Sequence, residues 1–175
     1  MQRILQAVLF GWLVLSSAAL WAEPHDANDG FFNEKFGDLK AELGNARQAG
    51  KTGILLMFEM DDCPFCHRMR TTVLNQPDVQ AYYRQHFLIF PIDTRGDTAL
   101  TDFSGKATTE KVFAEGQRAR ATPVFIFYGL DGKPLARYTG PTKDAAEFIQ
   151  LGHYVVDGSY KTQTFPQYKL QHPTP

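Results

Sequence analysis

The chain has 175 residues, of which 43% are hydrophobic and 21% charged, and its formal net charge is −1. That balance belongs to a globular domain large enough for a real core, and it excludes an intrinsically disordered chain. No long run of either sign occurs, which argues against a nucleic-acid partner and against a polybasic membrane-binding surface.

Residues 1–22 read as a secretory signal peptide. Arg3 supplies a small positive region, an apolar run extends from Ile4 to Leu20, and cleavage is expected near Ala19 or Ala22, before Glu23-Pro24. An uncleaved membrane anchor is the alternative, because the run nearly reaches spanning length. Either way the chain is exported, with the periplasm as its expected compartment. Residues 23–35 are polar and read as a mobile lead-in. The folded domain is expected over 36–158, and 159–175 as an irregular tail.

Within the domain, Phe36, Leu39, Leu43 and Ala46 recur at helical spacing, with Gly50 as the stop. Gly53 to Met60 is a continuous apolar run of strand length, which suits a central strand buried on both faces. A helix from Pro64 to about Leu74 is expected next, with Met69 and Val73 inward and Arg68 and Arg70 outward. Asp78 to Gln85 reads as a further short helix and Phe87 to Asp93 as a strand. Pro91 removes a ladder donor from that strand and so predicts an edge position. Thr94 to Thr109 is polar and reads as a long loop, a recognition element or mere decoration. A helix to Gly116 follows, then a strand from Pro123 to Tyr128. Asp131-Gly132 turns it into a second strand, Pro134 to Tyr138, as a hairpin. A last helix follows Gly140-Pro141-Thr142, with Asp144 and Glu147 near its positive N-terminal end. The expected fold class is α/β: a central mixed sheet of about four strands, flanked by helices on both faces.

The chemistry concentrates in Glu59-Met60-Asp61-Asp62-Cys63-Pro64-Phe65-Cys66-His67. Two cysteines three positions apart, and no others, do not make a disulfide-stapled scaffold. A loop this short removes little entropy from the unfolded chain, so a purely stabilising bond would be a poor staple. A disulfide exchanger, by contrast, needs one attacking thiolate and a second thiol near enough to release the mixed disulfide. At a helix start, unsatisfied N–H groups and the helix dipole stabilise the Cys63 thiolate. Cys66, one turn on, points back toward it and is better shielded.

A strand running into Cys-x-x-Cys at a helix start resembles the thioredoxin superfamily. Ala121-Thr122-Pro123-Val124 stands where that family carries a cis-proline facing the active-site disulfide, and the hairpin ending at Gly140 is similar to the family's closing hairpin. The resemblance covers about Phe36 to Val156 and implies a thioredoxin-like fold and thiol–disulfide oxidoreductase activity. Within the family the chain looks closest to periplasmic thioredoxin-like proteins associated with sulfur oxidation. Thr122 and Pro123 would dock an extended substrate chain beside Cys63, and Phe65, expected to be exposed, could touch it. One departure stands out. The family's buried acid, six positions before the first cysteine, is Met57 here, and Glu59 is the nearest acid that could substitute.

Charge around the cysteines is mixed. Glu59, Asp61 and Asp62 disfavour the thiolate, while His67, Arg68, Arg70 and the helix dipole favour it. His67 is either a tuning residue or an ordinary exposed one. The spacing from Cys66 to Pro123 leaves no room for the large helical insertion of DsbA-type oxidases, which favours a reductase. The expected function is therefore reduction of disulfides in exported client proteins, with a membrane thiol electron donor recycling the pair. No metal or organic cofactor is implied.

Several alternatives remain beside this reading. An oxidase or isomerase would use the same fold. Cys63-Pro64-Phe65-Cys66-His67 also satisfies the c-type haem attachment signature, with His67 proximal and Met57, Met60 or Met69 distal. A metal-binding module would need His25, His86 or His153 as a further ligand. A redox-inert binding or chaperone module is the reading outside the enzyme class.

Overall fold

The computed structural model describes residues 30–34 and 37–173. The signal peptide, its cleavage point, most of the lead-in, His25 and Phe36 lie outside the described residues.

Chain order gives α1 (Leu39–Gln48), β1 (Gly53–Glu59), α2 (Pro64–Thr72), α3 (Pro77–His86), β2 (Phe87–Asp93), β3 (Ala99–Thr101), β4 (Ala107–Thr109), α4 (Glu110–Gly116), β5 (Val124–Gly129), β6 (Pro134–Thr139), α5 (Ala145–Val156) and α6 (Phe165–Gln171), with a 3-10 turn at Ser159–Lys161. Four strands form the central sheet in the order β2-β1-β5-β6. β1 runs parallel to β2 and antiparallel to β5, and β5 pairs antiparallel with β6.

Strand side chains alternate between faces, and here both faces are covered. Leu55, Met57, Ile89, Phe125 and Phe127 meet α2, α3, α5 and α6 on one side. Ile54, Leu56, Phe58, Phe90, Ile92, Val124 and Ile126 meet α1 and α4 on the other. The apolar run of β1 is therefore apolar because neither face sees water. The first core is largely aromatic: Tyr83 stacks on Phe148 with ring centroids 4.4 Å apart and donates its hydroxyl to the Phe148 carbonyl at 2.6 Å. Burial of that hydroxyl pushes its pKa well up.

β2 takes the edge position that Pro91 predicts. Asn33 bonds the outer edge at Ile89 twice, its backbone N–H donating to the Ile89 carbonyl and its side-chain oxygen accepting from the Ile89 N–H, both at 2.8 Å. Two residues further along, the Pro91 nitrogen faces the same outer edge, so no ladder bond is lost.

Three stretches differ from expectation. Residues 30–34, read as the end of a mobile lead-in, are packed down: Phe31 is fully buried against Tyr83 and Phe148. The 94–109 segment is not a plain loop but holds the β3–β4 hairpin, which buries Leu100. At its turn, Asp102 accepts from the Ser104 hydroxyl and from the Ser104 and Lys106 amides, which pulls its carboxyl pKa down. The tail is not irregular, since Thr164 and Gln167 form a capping box that starts α6. That helix buries Phe165 and Tyr168 in the first core. Substituting Phe165 by Ala should therefore cost about 3 kcal/mol of stability in urea denaturation of the oxidised protein. An unmoved midpoint would mean that α6 is an appendage.

Candidate active site

β1 leaves the sheet at Glu59, and a turn closed by the Cys63 N–H on the Met60 carbonyl (3.2 Å) delivers Cys63 to the start of α2. Cys63 is the N-cap itself, with extended backbone angles, and Pro64 follows within the first helical turn, where its missing N–H is harmless. The Cys63 sulfur takes the capping role of a side-chain oxygen, accepting the Cys66 N–H at 3.1 Å. Cys63 and Cys66 are joined as a disulfide with Cα atoms 5.2 Å apart. Cys63 keeps 6% of its surface exposed and Cys66 2%. Met57 and Met69 are fully buried in the same core cluster, so apolar side chains occupy the position where the family carries its buried acid.

Thr122-Pro123 is a cis peptide bond. It brings the Thr122 carbonyl to 3.5 Å from the Cys63 sulfur, so the structure does bring Cys63, Cys66, Thr122 and Pro123 together. The Thr122 hydroxyl is buried with no hydrogen-bond partner among the described residues. Phe65 stands out from the first turn of α2, 56% exposed, and His67 is exposed one residue past Cys66.

Several supporting residues were not singled out from sequence. The Arg137 guanidinium, on β6, donates to the Gln117 carbonyl at 2.6 Å and the Arg118 carbonyl at 3.0 Å. The Tyr128 hydroxyl bonds the Gln117 side chain at 2.9 Å. Together they grip the segment leading to Pro123, in which Arg118 takes a left-handed φ of 55°. At the other end the Gly140 N–H donates to the Pro123 carbonyl at 2.8 Å. None of these contacts has a local sequence signal.

The expected outward placement of Arg68 and Arg70 needs correction: both side chains are engaged. Arg68 donates to the Thr142 and Lys143 carbonyls and ties α2 to the start of α5. Arg70 forks onto the Glu59 carboxylate, with its Nε 2.9 Å from Oε2, and lies over the Phe32 ring at 4.6 Å. Asp62 accepts both bonds of Arg95 at 3.1 Å, in a pair more than 60% exposed on each side and thus heavily screened. Two of the three acids before Cys63 are therefore matched by a cation, which reduces their opposition to a thiolate. A cavity of about 240 Å³ opens beside the disulfide, lined by Glu59, Met60, Asp61, Cys63, Cys66, His67 and Arg70. Larger grooves exist, one of about 790 Å³ between β6 and α6, but it shares no residue with the disulfide.

His86 and His153, named as metal ligands, instead flank the Tyr82 ring at 4.7 and 4.5 Å. Among the described residues no three His, Cys, Asp or Glu side chains gather as a metal-binding group. For the haem reading, His67 is exposed while Met57 and Met69 are fully buried.

Residues 39–156 match the family model of a thioredoxin-like domain. The chain belongs to the thioredoxin-like family. Its fold is similar to that of a thioredoxin-fold protein from Helicobacter pylori, with a TM-score of 0.65 at 15% identity over 83% of this chain and 92% of that one. The DsbH oxidoreductase aligns with a TM-score of 0.55 at 18% identity, over 77% of this chain and 90% of its own. A thioredoxin from Thermus thermophilus aligns with a TM-score of 0.53 at 22% identity, over 76% of this chain and 92% of its own. Comparison with curated proteins returned no sequence match. A thioredoxin-like domain with a Cys-x-x-Cys pair at the start of its first sheet-covering helix after β1 is a thiol–disulfide oxidoreductase.

The difference in cover over the two sulfurs sets an expected order of reaction. In the reduced protein, iodoacetamide should label Cys63 about tenfold or more faster than Cys66, because Cys63 caps the helix N-terminus and Cys66 is the more deeply covered of the two. Peptide mass spectrometry after brief labelling measures this, and equal labelling would contradict the assigned order.

Proposed function

We propose that this thioredoxin-like protein reduces disulfides in exported client proteins, with Cys63 as the attacking thiolate. The observation that carries the reading is the placement of the Cys63 sulfur. It sits at the N-cap of α2, accepts the Cys66 amide, and lies 3.5 Å from the carbonyl preceding the cis-proline. Helix N–H groups aimed at the sulfur favour its thiolate, and the neighbouring extended backbone gives a client chain something to lie along.

In this scheme Cys63 attacks a client disulfide, one client sulfur leaves as a thiolate, and the other stays bonded to Cys63. Thr122, Pro123 and the exposed Phe65 hold the client chain. Cys66 then attacks Cys63, forms the internal disulfide and releases the second client sulfur. Each turnover moves two electrons to the client. A membrane thiol donor must return them if the compartment is the periplasm, the location expected from residues 1–22. Two features favour reduction over oxidation. Between Cys66 and Pro123 the chain forms only α2, α3, β2, the β3–β4 hairpin and α4, with no inserted helical domain. Both cysteines belong to an apolar core cluster that includes the fully buried Met57 and Met69, and burial in apolar surroundings disfavours thiolates.

Two measurements test the proposal. Equilibration in thiol–disulfide buffers should give a reduction potential for the pair near about −270 mV, whereas a value near −120 mV would reverse the direction of electron flow. A Cys66→Ser variant should accumulate mixed disulfides with client proteins through Cys63. Recovery of none, while wild type is active, would remove Cys63 as the nucleophile.

A further inference from the structure

We infer that Glu59, held in place by Arg70, is the group that takes the proton of the Cys66 thiol when Cys66 attacks the mixed disulfide. The inference rests on the assignment of Cys63 as the nucleophile.

The need is chemical. Cys66 must lose its proton before it can form a bond to sulfur, because the thiolate is the nucleophile. It is 2% exposed and shares its core cluster with the fully buried Met57 and Met69, neither of which offers a proton acceptor. The cavity of about 240 Å³ supplies the way out. Cys66 and Glu59 both line it, and its volume has room for several waters at about 30 Å³ each.

Every ionisable group that faces Cys66 across that cavity can be named. β1 contributes Glu59, the turn after it Asp61, and α2 contributes His67 and Arg70. No residue of the cis-proline loop lines the cavity. Asp62 is turned to Arg95, and Arg68 to the carbonyls at the start of α5. Asp61 and His67 are exposed at the lip. Glu59 is different: its side chain is 15% exposed, and Arg70 fixes it with two hydrogen bonds. Arg70 follows Cys66 by four residues, which puts the two on the same helix face, one turn apart. The fork that holds Glu59 is thus anchored beside the thiol that needs an acceptor.

The step balances as follows. The Cys66 S–H bond breaks and its proton passes through cavity water to a Glu59 carboxylate oxygen. The sulfur's electron pair forms the Cys66–Cys63 bond, and the Cys63–client sulfur bond breaks with its pair leaving on the client thiolate. The proton on Glu59 then moves to solvent past Asp61 and His67, and the carboxylate is restored. Glu59 acts here as a general base at a reacting atom, and Arg70 as a positioning residue.

Ellman's reagent separates the two steps in one stopped-flow trace of the reduced full chain. The first thionitrobenzoate released reports attack by Cys63, and the second reports attack by Cys66 on the mixed disulfide. With Glu59 as base, the second rate in wild type should change little between about pH 5 and pH 8. Glu59→Gln should slow it by about 100-fold near pH 6, make it rise tenfold per pH unit, and let it rejoin wild type above the thiol range. Glu59→Asp should keep a level region. Neither variant should slow the first phase, because loss of a carboxylate beside Cys63 does not disfavour its thiolate. A wild-type second rate that climbs tenfold per unit from pH 5 would overturn the inference without any variant. So would a Glu59→Gln profile parallel to wild type at every pH. Absence of the first phase in wild type would instead defeat the assignment of Cys63.

Discussion

A strand covered on both faces can expose no reactive side chain along its length, so its chemistry has to be placed where it ends. β1 is such a strand, and the turn after Glu59 hands the chain directly to a helix whose first amides have no intrahelical partner. Cys63 answers that need with sulfur, which accepts the Cys66 N–H at 3.1 Å. The same contact caps the helix and prepares the nucleophile. Other parts of the site follow from it, because a sulfur fixed at that point has to be met by the cis-proline loop on one side and by the cavity on the other.

The loop's precision comes from distant elements. Arg137 and Tyr128, on β6 and β5, bond the segment from Gln117 to Arg118, and Gly140 bonds the carbonyl of Pro123. Those strands are themselves registered against β1, with Val124 opposite Phe58 and Thr139 opposite Val124. A shift in register between β5 and β6 would therefore move Thr122 relative to the sulfur. The aromatic core supports this rigidity: Phe125 and Phe148 pack at 5.0 Å and Phe87 and Phe127 at 5.2 Å. Such pairs contribute about 0.5–1.5 kcal/mol each beyond their buried area.

Much of this was legible in the residues. The apolar run of β1, the Asp131-Gly132 turn and the edge position of Pro91 follow from local rules of burial and backbone chemistry. The cysteine pair and Thr122-Pro123 were legible because a spacing and a resemblance reinforced each other. What stayed hidden was either short or distant. The β3 and β4 strands are three residues long and half threonine, so no period-2 pattern could emerge. α6 announced itself only through Thr164, Pro166 and Gln167, a capping signature inside a tail whose composition suggested irregular chain. The Arg70–Glu59 fork joins a helix to a strand, and nothing in either segment alone specifies the other. Arg70 looks like a solvent-facing residue by helical period, yet its partner lies at the end of β1.

Asn33 carries a consequence for how copies of this protein behave toward one another. A sheet edge with free amides and carbonyls invites another strand to add to it. At the β2 edge, Asn33 occupies both backbone groups of Ile89 with one side chain and one peptide unit, and Pro91 removes the next donor on that side. Phe31, buried two residues earlier, keeps Asn33 from peeling away. Two small features thus act as a plug against edge-to-edge aggregation, so this edge of the sheet is closed to another strand and exchange with other chains is left to Cys63, which keeps 6% of its surface exposed.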